Sequence, residues 1–152
     1  MQKINLNTAA PNIVCICVDG SDSNDVWGRI YHCYSDEAVL FDNGYQILQK
    51  LEGLMDDLNY PQSSVKLRTF KEDACKERKK VKKVMKDDEV IRQMGKKGTF
   101  VVHVMYRQNA TWQGEVVWTE NGEVRKFRSA LELLKLMDSA MDSNEMQQDS
   151  GG

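Results

Sequence analysis

The side chains of this sequence best suited to chemistry are four cysteines and two histidines: Cys15, Cys17, Cys33, Cys75, His32 and His103. Cys15 and Cys17 stand two apart in the apolar run IVCICV at 13–18, so on a strand both point to one face. Zinc accepts thiolate and imidazole ligands, and His103 brought beside that pair across a sheet would complete a soft-metal set. The spacing argues otherwise, because C-x-C on a strand is not a zinc knuckle and no C-x-x-C pair occurs. Free cysteine is among the most buried residue types, so structural thiols are expected. A small thiol or metal protein using Cys15, Cys17, Cys33 and His103 stays as an alternative. His32 and Cys33 are neighbours on opposite strand faces and form no local dyad.

Three further groups merit attention. The loop 19–25, DGSDSND, gathers Asp19, Asp22 and Asp25, oxygen ligands of the kind that hold calcium. It lacks the twelve-residue pattern ending in Glu, so a polar turn is expected. The stretch 107–114 collects Arg107, Asn109, Trp112 and Gln113, with Arg125 and Arg128 nearby in sequence. Arg and Trp are enriched in binding hot spots. These six residues are the candidate binding surface, against the plainer reading that Trp112 fills the core and the amides satisfy a turn. Lys76, Lys79, Lys80, Lys83 and Lys86 share one face of a helix at three-to-four residue spacing. Such a stripe neutralises phosphate or lies solvated on an acidic surface. No G-x-S-x-G, P-loop, H-E-x-x-H or G-x-G-x-x-G pattern occurs, so no catalytic residue, metal or cofactor is assigned.

The elements that must position these groups read as two similar series. Strands are expected at 13–18, 26–34 and 37–41, followed by a helix at 43–58 capped by Asn43 and Gln46. A short strand at 65–70 and a charged helix at 71–94 come next. Strands at 99–106, 111–118 and 123–127 follow, with Asn121-Gly122 as a hairpin signal. Ser129 and Glu132 then form a capping box opening an amphipathic helix. An offset of 86 aligns 13–58 with 99–144 without a gap, with seven identities in 46 positions and coincident turns and caps. The expected fold is therefore α+β: two βββα units, 13–58 and 99–141, arising by duplication and sharing one core. The basic helix 71–94 joins them. Six strands would make one sheet or two packed sheets. Residues 1–12 are expected to be a flexible N-terminus, and 142–152 a disordered acidic tail.

Composition sets the frame. The 152 residues are 41% hydrophobic and 29% charged, ordinary for one globular domain, which excludes collagen-like and fully disordered classes. No apolar run approaches a membrane span, and the N-terminal pattern is not that of a secretory signal. A cytoplasmic protein with reduced thiols is expected. The net charge of −2 is segregated: residues 71–97 carry 11 basic and 6 acidic side chains, leaving 10 and 17 for the remainder.

Asn109 to Gly114 (NATWQG), Trp118, and Phe127-Arg128-Ser129-Ala130-Leu131-Glu132-Leu133 together resemble a segment of small uncharacterised proteins of Firmicutes-type bacteria. The resemblance implies a bacterial, cytosolic origin and no particular activity. The functional expectation is a non-catalytic regulatory module acting through protein–protein contacts, with an unidentified protein partner and a homodimer open. The alternative is a regulator that binds nucleic acid through the lysine stripe or mimics it with the acidic body.

Overall fold

The computed structural model describes residues 11–22, 25–61, 82–108 and 111–150. The elements run β1 (Val14–Ser21), β2 (Val26–His32), β3 (Val39–Phe41), α1 (Gly44–Leu58), α2 (Asp87–Ile91), β4 (Gly98–Gln108), β5 (Thr111–Trp118), β6 (Glu123–Phe127) and α3 (Ala130–Ser150). The fold is mixed α+β. All six strands lie in one antiparallel sheet of order β3-β2-β1-β4-β5-β6.

Hydrophobic patterning explains the layers. β1 and the start of β4 are apolar on both sides because they sit at the sheet centre with both faces covered. One face carries Ile16, Val18, Phe41, Phe100, Val102, Val116 and Phe127, buried under Ile47, Leu51 and Met55 of α1 and Leu133, Met137 and Met141 of α3. Each buried Phe on this face contributes about 2–3 kcal/mol of transfer free energy. The opposite face buries Ile13, Cys15, Cys17, Cys33, Val101 and Val117 beneath Val90 of α2, with Met85 and Ile91 alongside. The N-cap half of each capping signal operates: Gln46 N donates to Asn43 Oδ1 at 2.9 Å, and Glu132 N donates to Ser129 Oγ at 3.0 Å, while the Gln46 side chain accepts from Asp42 N at 2.8 Å instead of from the cap residue. Asn59 ends α1 in the left-handed region, φ 50°.

The two halves of the sheet carry the same details 86 positions apart. Val18 pairs with Gly28 and Val104 with Gly114; Gly28 pairs with Phe41 and Gly114 with Phe127. The register then shifts between Val18 and Gly20, and again between Val104 and Tyr106, so each long strand has a β-bulge at the same place. At the centre Cys15 faces Val101, its own counterpart in the offset. The carbonyl of Val18 accepts from Lys97 N at 2.8 Å, and that of Val104 from Asn12 Nδ2 at 2.8 Å. Pro11, which corresponds to Lys97, has no N–H, and the neighbouring side-chain amide supplies the donor instead.

Two expectations change. The charged helix at 71–94 is, in its described part, only the five residues of α2. The backbone N–H groups of Val84 and Met85 both donate to Cys33 O, which holds them against β2 and out of a helix. α3 continues to Ser150, into the segment read as a disordered tail, since nothing before Gly151 breaks a helix. The strand read at 65–70 and residues 1–10 lie outside the described residues. Among the described residues no helix is long and apolar enough to cross a membrane.

Gly28 and Gly114 admit the close approach of the neighbouring strand. A Cβ at either would lie 2.0 Å from Cys17 O or 2.1 Å from His103 O, both backbone atoms. Gly28→Ala and Gly114→Ala are each expected to cost about 3 kcal/mol, read as a lower urea midpoint at unchanged m.

Candidate functional site

The six residues 107–128 expected to form one binding surface are divided by the structure. β4 alternates Phe100, Val102 and Val104 onto the helix side until the bulge at Met105 inverts the pattern. Arg107 thereby turns inward and Tyr106 outward. Arg107 is 5% exposed. Its Nε donates to Pro61 O at 2.7 Å, Nη1 to Asp56 Oδ1 at 2.7 Å and Nη2 to Met55 O at 3.4 Å. It thus clamps the C-terminal end of α1, where a cation complements the helix dipole. Trp112, paired with Arg107 across the hairpin, belongs to the helix-side core. These two are structural. Asn109 lies outside the described residues.

The remaining three are exposed but not together. Arg125 pairs with Glu123 at 3.1 Å and lines a small cleft beside Trp118 and Leu136. Gln113 and Arg128 line a groove of about 490 Å³ at the other end of β5 and β6. Its other walls include Met105, Tyr106, Glu115 and Lys126, none of which the residue pattern singled out. The signal for Tyr106 was the bulge, which alternation alone does not reveal.

The thiols form a separate layer. Cys15 Sγ and Cys17 Sγ are 3.9 Å apart, and Cys15 donates to Gln93 O at 3.5 Å. Their mutual hydrogen bond raises Cys15, reinforced by burial, and lowers Cys17, aided by the Arg29 charge while burial opposes. Cys33 donates to Asp87 Oδ1 at 2.9 Å and its thiol is pushed up to about 12, first by burial and then by that carboxylate. His103 is buried facing Glu115 on β5, and its Nε2 has no hydrogen-bond partner among the described residues. Among the described residues no three His, Cys, Asp or Glu side chains converge as metal ligands. All three described cysteines are free and buried.

The acidic loop is held by its own groups. Arg29 makes two hydrogen bonds to Asp19, at 2.9 and 3.1 Å, and holds its carboxyl below the usual range. Asp25 N donates to Asp22 Oδ1 at 2.8 Å. Of the lysine stripe, Lys76, Lys79 and Lys80 lie outside the described residues. Lys83 contacts Asp87 at 3.4 Å, and Lys86 is exposed at the start of α2.

No family model, no curated protein and no solved structure matches the chain.

Burial lowers the pKa of both His32 and His103, Glu115 partly opposing at His103. A histidine held neutral in the fold binds its proton more readily when unfolded, so stability falls as pH drops through and below the ordinary value of 6.5. The urea midpoint is expected to be lower at pH 5.5 than at pH 7.5, about the ordinary histidine range. His32→Asn with His103→Asn should flatten that dependence. Arg107→Ala is expected to cost about 2 kcal/mol by removing the buried donor to the Pro61 carbonyl and the partner of Asp56, whereas Arg128→Ala should change stability by less than about 0.5 kcal/mol.

Proposed function

We propose that this protein is a non-catalytic binding module that acts through protein–protein contacts, its partner docking on the groove of Met105, Tyr106, Gln113, Lys126 and Arg128. The observation that carries this reading is the exposure of Tyr106, at 51%, beside the half-exposed thioether of Met105 on the outward side of a bulge. Tyr and Arg are the residue types that dominate binding hot spots, and a thioether adapts to a partner's shape.

The other half of the sheet supports the same reading by contrast. There Asp19 stands where Met105 stands and is engaged by Arg29. Met94 O accepts from Arg29 and Lys96 N donates to Asp19, so the chain itself closes over that ground. At the groove Met105 stands in place of the ion-paired Asp19, and the positions that match Met94 and Lys96, 8 and 10, lie outside the described residues. The matched registers, bulges, glycines and caps support reading the halves as copies of one ancestral βββα unit, one copy sealed internally and the other diverged for binding. The resemblance to bacterial proteins supports a bacterial cytosol as the setting and carries no activity of its own.

A photo-cross-linking residue at position 106 tests the docking surface. In extract of the producing cells it should yield one discrete adduct, lost on Arg128→Glu. The same residue at Leu131, 61% exposed on α3, should not yield that adduct. Indistinguishable products from both positions would sink the reading.

A further inference from the structure

Between the outer strands and the helix of each half the helix-side face opens into a cleft. In the second half Val116, Trp118, Arg125, Leu136, Ser139 and Ala140 line about 150 Å³. In the first half the residues 86 positions earlier, Ile30, His32, Val39, Lys50, Gly53 and Leu54, line about 330 Å³. The two clefts are thus one feature with different contents. An indole and a Leu side chain occupy the second; an imidazole and a Lys on an exposed helix position replace them in the first. Gly53 stands where the second half has Ser139, and a Cβ there would meet nothing within 4 Å. The larger volume falls within the range of small-molecule sites, about 300–1,000 Å³.

The lining states what would fit. Its floor is apolar, made by Ile30, Val39, Leu51 and Leu54. His32 Nδ1 accepts from Tyr34 N at 3.1 Å, which assigns the ring proton to Nε2. That Nε2–H has no hydrogen-bond partner among the described residues. Lys50 and Asp57 carry opposite charges on the same cleft, so its lining is neutral overall. Neutral walls around an apolar floor with one fixed donor favour an uncharged ligand, since burying a charge there would go uncompensated.

We propose that the cleft of Ile30, His32, Val39, Lys50, Gly53 and Leu54 binds a small uncharged, mostly apolar molecule whose hydroxyl or carbonyl oxygen accepts from His32 Nε2–H. Acetophenone is a suitable probe, titrated into the full-length labelled protein by NMR. Saturable shifts should appear at the Leu51 and Leu54 methyl groups and the His32 ring. His32→Phe should weaken binding about tenfold, the loss of one hydrogen bond. Gly53→Leu should abolish it by filling the mouth; the open space and the better helix propensity keep that variant folded. Benzoate should bind at least about tenfold more weakly than acetophenone, because its charge is not offset. Non-saturating shifts, unchanged affinity in Gly53→Leu or His32→Phe, or benzoate binding as tightly as the ketone would each overturn the proposal.

Discussion

The pairing of β1 with β4 is the contact on which the rest of the molecule depends. Residues 14–18 meet 98–102 in the middle of the sheet, and this ladder joins the two halves. Because both strands are central, each needs apolar side chains on both faces, which is why their sequences read as unbroken hydrophobic runs. One set faces the two long helices. The other set includes Cys15 and Cys17 and must be covered by something else. The chain between the halves does this, pinned by Cys33 O, Cys33 Sγ and Val18 O. The thiols are therefore part of the packing between sheet and cover; the hydrogen bond with Cys17, reinforced by burial, raises Cys15, and burial with the Asp87 carboxylate raises Cys33.

The bulges decide which side chains are structural and which are offered to solvent. One extra residue at Met105 exchanges the faces of everything after it in β4. Arg107, a type expected at the surface, becomes the clamp on α1, and Tyr106, a type expected in the core, becomes exposed. At the matching place in β1 the inversion sets Gly20 beneath the Trp27 ring, where an added Cβ would lie 2.4 Å from it. A local irregularity of one residue thus has different consequences in the two halves, through the side chains that follow it.

The sequence made the six strands, the two long helices and both caps legible, because each rests on a short periodic pattern or a spacing of three. It did not make the bulges legible, since strict alternation has no sign for an inserted residue, and the candidate surface fails there: the bulge turns Arg107 to the face opposite Gln113, while Trp112 faces away from Gln113 by alternation alone. The charged segment misled for a different reason. Its helical spacing is real, but the N–H groups of Val84 and Met85 have a better partner in Cys33 O than in their own turn. The cleft at His32 was hidden because its residues come from three elements and only the offset relates them to their counterparts.

The central ladder also sets an order of events in folding. Val18 and Gly98 are 80 positions apart, whereas the pairings of β1 with β2 and of β4 with β5 close over short loops. Closing the hairpins costs less chain entropy than closing the long-range ladder, so the hairpins are expected to form before it. Until that closure each half presents an apolar strand edge that a second chain can pair with in the same register. Chain concentration during refolding, and not the stability of the finished contacts, then governs how much material closes on itself and how much exchanges halves with a neighbour.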